Sequence, residues 1–172
     1  MPDNWSWTRL FNISSIVTGN TPNKNIPSLY GDSFPFFKPT DLTQGMNVSK
    51  ASEYLSEEGK RYCRIVPKGA TVVCCIGSIG KSGLLSINGA TNQQLNAIIP
   101  IIISNKYMYF YSCTNLFVTQ LINSASATTI SIVNKNKMSN VLLPIPPIKE
   151  QIKIVSQIEK NMKLIQPIEE LL

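Results

Sequence analysis

The chain has 172 residues, of which 43% are hydrophobic, and a formal net charge of +6. This length suits one domain, and the hydrophobic fraction is large enough for a core. The longest apolar run, residues 97–103, is interrupted by Pro100 and is far shorter than the roughly 18 residues that a membrane span needs. The first residues lack the basic and apolar regions of a signal peptide. We therefore expect a soluble, cytoplasmic protein without a membrane partner.

The first part of the chain predicts short strands separated by turns. Apolar residues within 5–17 predict strands that end at the turn 19–22. Residues 34–37 predict a strand in which Pro35 marks an edge or a bulge. Residues 56–59 predict a helical turn closed by glycine, and residues 67–69 predict another turn. Three stretches rich in β-branched residues predict further strands, at 71–76, 83–87 and 95–103.

The following part mixes helix and strand patterns. Residues 106–123 have helical spacing, and residues 128–133 and 141–143 complete the predicted strands. This order predicts an α+β fold with a mixed, largely antiparallel, curved sheet and a few helices. The aromatic residues of the predicted helix suit a core better than a base-stacking surface. They are Tyr107, Phe110, Tyr111 and Phe117.

A proline-rich segment precedes a C-terminal amphipathic helix. Proline lacks an N–H and has a fixed φ, so Pro144, Pro146 and Pro147 place the helix start near residue 147. Pro167 disfavours helix at the residue before it, so we expect an end or a kink there. The sequence thus predicts a body at 1–146 and a protruding spacer or dimerisation helix at 147–172. Its apolar stripe has the spacing of a coiled coil and consists of Ile148, Ile152, Val155, Ile158, Met162 and Ile165.

Basic residues are unevenly distributed. No acidic residue occurs between Gly59 and Lys149, whereas the rest of the chain carries seven basic and ten acidic side chains. An acid-free stretch of this length suits a polyanion such as DNA, although a basic surface without a partner is the simpler alternative. The basic residues of this stretch are Lys60, Arg61, Arg64, Lys68, Lys81, Lys106, Lys135, Lys137 and Lys149.

Residues 75–82 resemble a phosphate-binding P-loop only in part. Cys75 occupies the position of the first glycine of that motif, and residues 83–87 predict a strand where the motif requires a helix. We therefore expect a glycine-rich hairpin turn that carries Lys81 and Ser82 to a phosphate backbone.

Catalysis and metal binding are poorly supported by the composition. The chain has no histidine, so the commonest general base is missing, and a zinc site would need four scattered thiolates. Adjacent Cys74 and Cys75 would point to opposite faces of a strand, and we expect reduced, mostly buried thiols. We predict no catalytic residue and no metal site.

Residues 92–96 contain four amide side chains. Asn and Gln can hydrogen-bond to adenine in the major groove. Buried amides that satisfy backbone groups explain the cluster at least as well, and we favour this scaffold interpretation.

Taken in chain order, a set of short motifs resembles the target recognition domain of the specificity subunit of type I restriction-modification enzymes. Each motif is short, but the ordered set covers nearly the whole chain. The motifs are Trp5 with Leu10, Gly19-Asn20-Thr21-Pro22, Phe36-Phe37-Lys38-Pro39-Thr40-Asp41-Leu42, Tyr54-Leu55-Ser56-Glu57-Glu58-Gly59, Val66-Pro67-Lys68-Gly69, Ile76-Gly77-Ser78-Ile79-Gly80-Lys81, Thr91-Asn92-Gln93-Gln94-Leu95-Asn96-Ala97 and Leu143-Pro144-Ile145-Pro146-Pro147-Ile148-Lys149-Glu150-Gln151.

The resemblance implies a non-catalytic module that recognises one half of a bipartite double-stranded DNA target. It implies no cofactor for this chain, because S-adenosylmethionine, ATP and magnesium would serve separate DNA methyltransferase and restriction subunits. Family members carry two recognition domains separated by two long antiparallel helices, whereas this chain has one domain and one short helix. The chain is therefore expected to be either a half-subunit that forms a homodimer through the apolar stripe or a fragment of a longer protein.

The resemblance also suggests where DNA would be contacted. Base contacts are expected from the stretches that match the family least, residues 23–34, 44–53 and 124–136. Phosphate contacts are expected from Lys38, Lys60, Arg61, Arg64, Lys81, Ser82, Lys135 and Lys137.

The alternative is a protein-interaction module that assembles a complex through the C-terminal helix and has no DNA affinity of its own.

Overall fold

In a computed structural model, which describes residues 2–125 and 131–169 with side chains up to Ile165, the chain forms three small sheets and several helices. The predicted α+β class with mostly antiparallel pairing is confirmed, although the strands divide into three sheets instead of one curved sheet. The strands are β1 (Ser6–Arg9), β2 (Ser14–Thr18), β3 (Tyr30–Phe37), β4 (Glu53–Leu55), β5 (Thr71–Cys74), β6 (Ser82–Leu84), β7 (Ala90–Thr91), β8 (Leu95–Pro100) and β9 (Leu142–Ile145). The helices are α1 (Glu57–Lys60), α2 (Asn105–Ser112), α3 (Asn115–Ser124), α4 (Lys135–Ser139) and α5 (Ile148–Glu169).

The antiparallel sheet β2-β8-β5-β6 forms the centre of the body, and apolar residues cover both of its faces. Val73 and Cys75 belong to the core cluster that includes α2 and α3, whereas Val72 and Cys74 belong to the cluster on the other side. This alternation is the one expected along a strand. The prediction that the adjacent cysteines face opposite sides is confirmed.

The sheet β4-β3-β7 contains the parallel pair β3 and β7. The pairing of β3 with β4 shifts register between Tyr30 and Phe34, whereas Pro35 lies in regular register opposite Tyr54, so the irregularity is near Pro35 but not at it. The alternative prediction of an edge strand is wrong for β3 as a whole, because β3 is the middle strand, but at Pro35 itself only β4 is paired with β3. Strand β7 pairs only with Phe36 and Phe37, so Pro35 precedes the part of β3 that is paired on that side.

The single helix predicted at 106–123 is two helices. Thr114 has an extended backbone (φ −79°, ψ 149°) and its hydroxyl accepts a hydrogen bond from the Phe117 N–H, which starts α3. The aromatic residues Tyr107, Tyr111 and Phe117 are buried, as predicted for core positions.

Several predicted boundaries also differ from the structure. Gly59 lies inside α1 instead of closing it, and the position requires glycine because a Cβ there would lie 1.8 Å from the Leu29 carbonyl oxygen. Strand β8 ends at Pro100, and β6 ends at Leu84. Residues 128–130 of the strand predicted at 128–133 lie outside the described residues, and Ile132 forms one isolated bridge. Helix α4 was not predicted.

The two ends of the body meet in the antiparallel pair β1 and β9, where Pro144 lies opposite Trp7. Helix α5 begins directly after Pro147, and Glu150 lies in its first turn, as predicted. The prediction of an end at residue 166 is wrong, because α5 continues through Pro167 to Glu169. A proline removes one backbone donor from a helix, but the residues that follow it can remain helical.

The first turns of α5 pack against the body. The Gln151 side chain is buried; its Oε1 accepts a hydrogen bond from the Ser104 N–H, and its Nε2 donates to the Pro146 carbonyl. Val155 joins the core at 7% exposure, and Glu159 pairs with Lys106. Farther along the helix, large apolar residues such as Met162 and Ile165 are exposed.

Candidate nucleic-acid interface

Arg64 and Lys135 meet across a cleft of about 260 Å³, which is also lined by the β2 residues Ile16, Val17 and Thr18. We call it the positive cleft. The Arg64 guanidinium donates to the Thr18 carbonyl at 2.7 Å, so the arginine is fixed against the edge of β2. Lys135 is the first residue of α4 on the opposite wall. Two cations held in one cleft can bind an anion such as a phosphate.

A second cleft, of about 380 Å³, lies on the other side of α4. It is lined by Arg9 and Lys137 together with polar residues of α3 and the loop before β9. The Arg9 Nη1 donates to the Asn140 carbonyl at 3.0 Å. Because Lys135 and Lys137 both belong to α4, this short helix carries a cation to each cleft. Sequence inspection missed Arg9, since it precedes the acid-free stretch.

The glycine-rich turn between β5 and β6 is a hairpin, as predicted. Gly77 and Gly80 have φ values of 81° and 89°, which favour glycine. The Ser82 hydroxyl donates to the Gly80 carbonyl at 2.9 Å and therefore closes the turn. Lys81 is half-buried, and a bridge between Ile76 and Ile132 places the hairpin beside the segment that leads to α4.

Two other predicted contact residues already have acidic partners. The Lys38 Nζ lies 2.6 Å from a carboxylate oxygen of Glu53. The Lys60 Nζ lies 3.4 Å from Glu57 and 4.8 Å from the centre of the Phe34 ring. Both lysines belong to the region of β3, β4 and α1, and neither lines one of the two clefts. The predicted set is thus divided between two regions of the surface.

The amide cluster is mainly scaffold, as favoured. Asn92 donates to Gln94 at 2.9 Å, and Asn96 is 1% exposed. The Asn96 Oδ1 accepts from the Thr18 hydroxyl at 2.7 Å, and its Nδ2 lies 3.2 Å from the Val133 carbonyl. Asn96 therefore connects β2 and the segment before α4. Gln93 differs, because it is exposed and bonds to the Thr21 hydroxyl.

The stretches expected to contact bases differ in how many of their side chains are free to contact a ligand. The Gln44 side chain accepts from the N–H groups of Ser49 and Lys50 and donates to the Asp41 and Lys50 carbonyls, so it holds its own loop. Residues 23–28 are exposed. Part of the third stretch, residues 126–130, lies outside the described residues.

The strongest pKa shifts belong to core groups. Burial raises the pKa of the Cys75 thiol to about 12, and burial together with Tyr111 and Glu150 raises that of Tyr107 to about 12. Neither residue lines the two clefts. Among residues 2–125 and 131–169, no group of three or more potential ligands could hold a metal ion. In the same part of the chain, no helix combines the length and apolar character that crossing a membrane requires.

The predicted stripe of α5 does not form one exposed surface. Ile148 and Ile152 are exposed, whereas Val155 is buried in the body. Val155 is therefore not available to a partner, and the predicted contact set must be corrected at this position. Ile158 is half-buried in a small apolar pocket that also contains Trp5.

Known proteins resemble this chain along its whole length. The family described as "Type I restriction modification DNA specificity domain" matches residues 2–171. The HindI specificity subunit of Haemophilus influenzae is 29% identical over 171 residues, which cover 94% of this chain and 37% of that protein. The MjaIX specificity subunit of Methanocaldococcus jannaschii is 25% identical over 161 residues, which cover 91% of this chain and 37% of that protein.

The fold is also similar to solved structures. The HsdS subunit from Thermoanaerobacter tengcongensis superposes with a TM-score of 0.78 at 19% identity, over 99% of this chain and 40% of that one. The chain thus spans about two fifths of the length of these relatives. With a family match over residues 2–171, the chain belongs to the family of type I restriction modification DNA specificity domains.

Proposed function

We propose that this chain is the DNA-recognition module of a type I restriction-modification system and binds one half-site of its target as double-stranded DNA. The observation that carries the proposal is the positive cleft, which Arg64 and Lys135 of the acid-free stretch line together with β2. Positive surface charge supplies most of the affinity of proteins for duplex DNA. Family membership agrees with this function.

We propose further that the module is non-catalytic and binds no cofactor. The groups with strongly raised pKa values, Cys75, Tyr107 and Tyr109, owe this shift mainly to burial, as expected for structural residues. S-adenosylmethionine, ATP and magnesium would then be used by separate methyltransferase and restriction subunits. This module would bring those subunits to the DNA target. We place this activity in the cytoplasm.

The exposed part of α5 is the proposed contact with other subunits. Ile148, Ile152, Met162 and Ile165 present large apolar side chains to solvent. They form two separate groups, one at the start of α5 and one farther along it, and exposed apolar groups of this kind mark protein interaction sites. A DNA methyltransferase subunit, a restriction subunit or the helix of a second copy of this chain would cover them.

The salt dependence of duplex binding tests the proposed function. Arg64→Gln combined with Lys135→Gln removes two proposed phosphate contacts. The fall of log K with log salt should therefore become less steep by about 1.8, at about 0.9 per contact. The matched control is Lys106→Gln combined with Lys160→Gln, which removes the same charge from two lysines that line neither cleft. We expect the control to retain a slope closer to that of the unmodified chain. Absence of duplex binding, or an equal loss of slope in both double variants, would contradict the proposal.

A further inference from the structure

Residues 61–65, which follow α1, carry exposed apolar side chains between arginines. Tyr62 is 61% exposed and Ile65 is 51% exposed, while Arg61 and Arg64 are exposed beside them. The next residue, Val66, is completely buried. The segment is thus attached to the core at its end and presents an aromatic and an aliphatic side chain to solvent.

The backbone of this segment is held firmly although its side chains are exposed. The Asn20 Nδ2 donates to the Tyr62 carbonyl at 2.7 Å, and the Asn20 Oδ1 accepts from the Arg64 N–H at 3.1 Å. The Cys63 thiol lies 3.5 Å from the Asn20 carbonyl oxygen. The Tyr62 N–H also donates to the Gly59 carbonyl at 3.0 Å. One asparagine therefore holds the backbone at both Tyr62 and Arg64, so the Cα of Tyr62 has a defined position.

The same short piece of chain orients three exposed groups of different chemistry. Thr18 accepts the Arg64 guanidinium, Asn20 holds the backbone of Tyr62, and Thr21 bonds to the exposed amide of Gln93. Residues 18 and 21 are three positions apart, so these anchor points lie within about 11 Å of each other.

The chemistry of the segment suits base edges better than phosphates alone. A phenol can donate and accept a hydrogen bond, and an aliphatic side chain can contact the methyl group of thymine. Arg64 lines the positive cleft and would hold a neighbouring phosphate. A rigid segment that combines these groups can place one side chain on the DNA phosphate backbone and the next in a DNA groove.

We propose that residues 61–65 are a specificity-determining element, in which Tyr62 and Ile65 contact base edges of duplex DNA while Arg64 and Lys135 bind the adjacent phosphate. Asn20 is a positioning residue that acts through the backbone of this segment. The inference rests on the proposed function, because it assigns base contacts within the same DNA-binding surface. It also moves base recognition into a segment from which sequence inspection expected phosphate contacts only.

Selection from a pool of duplexes with randomised central base pairs tests this proposal. The unmodified chain should enrich a sequence, with preferences of roughly 5- to 100-fold at directly contacted positions. Tyr62→Ala combined with Ile65→Ala should reduce the preference at adjacent positions to near one, with an unchanged salt slope. Asn20→Ala, which keeps Tyr62 but removes its anchor, should weaken the preference at the same positions. The control Leu116→Ala removes an exposed apolar side chain from α3 and should enrich the sequence of the unmodified chain.

The outcomes separate the inference from the function on which it rests. If the unmodified chain retains no duplex from the pool at low salt, the proposed function fails and this inference fails with it. If the unmodified chain selects a sequence and the Tyr62 and Ile65 double variant selects the same one, only the inference is overturned. A fall in the salt slope of that double variant would also overturn it, because the two side chains would then act through phosphates. Unchanged thermal melting should accompany each exposed-residue variant.

Discussion

The side-chain oxygen of Gln151 on α5 lies 2.9 Å from the backbone nitrogen of Ser104 and accepts its hydrogen bond. The same side chain donates to the Pro146 carbonyl at 2.9 Å, and it is 1% exposed. One buried amide thus attaches the C-terminal helix to the residue that caps α2 and to the residue that ends the body. The direction in which α5 leaves the body depends on these two bonds.

Replacing Gln151 by alanine should destabilise the chain. The change leaves the Ser104 N–H and the Pro146 carbonyl without their partner, and a buried unsatisfied polar group costs about 1–3 kcal/mol. Urea denaturation measures the free energy of unfolding. Gln157→Ala is the control, because Gln157 is exposed and bonds only to Asn161 within the same helix, so a change within about 0.5 kcal/mol is expected. Equal effects of the two variants would show that Gln151 does not attach the helix.

Truncation of Val155 should also destabilise the body, whereas truncation of Ile152 should not. Val155→Ala removes two buried methyl groups and leaves a small cavity, at a cost of roughly 1–2 kcal/mol. Ile152 is 58% exposed one turn earlier, so Ile152→Ala should have little effect on unfolding. Chemical denaturation of the two variants side by side makes the comparison. A larger loss for Ile152→Ala would mean that the side of α5 carrying Ile152 packs on the body instead.

The exposed isoleucines of α5 should matter for assembly instead. Ile148→Glu combined with Ile152→Glu should abolish association with a second copy or with a methyltransferase subunit and leave the melting temperature nearly unchanged, since both side chains are exposed. Sedimentation and co-purification with that subunit provide the measurements. Retained association in both assays would exclude this part of the helix as the contact.

Alanine at the two hairpin glycines should separate backbone strain from steric overlap. Both Gly77 and Gly80 have positive φ, which costs an L-residue roughly 1–2 kcal/mol. A Cβ on Gly77 would meet nothing within 4 Å, whereas a Cβ on Gly80 would lie 2.8 Å from a methyl carbon of Val118. Gly80→Ala should therefore destabilise the chain more than Gly77→Ala in thermal unfolding. The reverse order would imply that α3 does not pack on this turn.

The cysteines should differ in their reaction with a thiol reagent under native conditions. Cys113 is exposed and should react first. Cys74 and Cys75 are buried, and burial raises the pKa of the Cys75 thiol to about 12, so this thiol stays protonated at pH 8. Mass spectrometry after timed labelling gives the order. Rapid modification of Cys75 in the folded chain would contradict its place in the core.

Sequence patterns predicted those parts of the fold that depend on local chemistry. The missing N–H of Pro147 located the start of α5, and alternation along a strand placed Cys74 and Cys75 on opposite faces. The division of the predicted helix at Thr114 was missed, because apolar spacing continues across the break. The burial of Val155 was missed for a related reason, since spacing identifies an apolar face but not the surface that covers it.

The candidate site was harder to predict than the fold. Arg64 and Lys135 are far apart in sequence and meet only because β2 and α4 become neighbours in the folded chain. Lys38 pairs with Glu53 and lines neither cleft. The sequence alone does not distinguish it from Arg64 and Lys135, because all three are simply basic residues there. Tyr62 carried no motif, and its exposure on a firmly held backbone became apparent only from the contacts of Asn20.

Buried Asn96 connects the two walls of the positive cleft from inside the protein. Its amide bonds both to Thr18, on the wall that holds Arg64, and to Val133, two residues before the wall that carries Lys135. Exposed residues of the cleft can therefore change while the buried connection between its two walls is kept. If the cleft binds DNA as proposed, one buried amide would support different sets of contact residues.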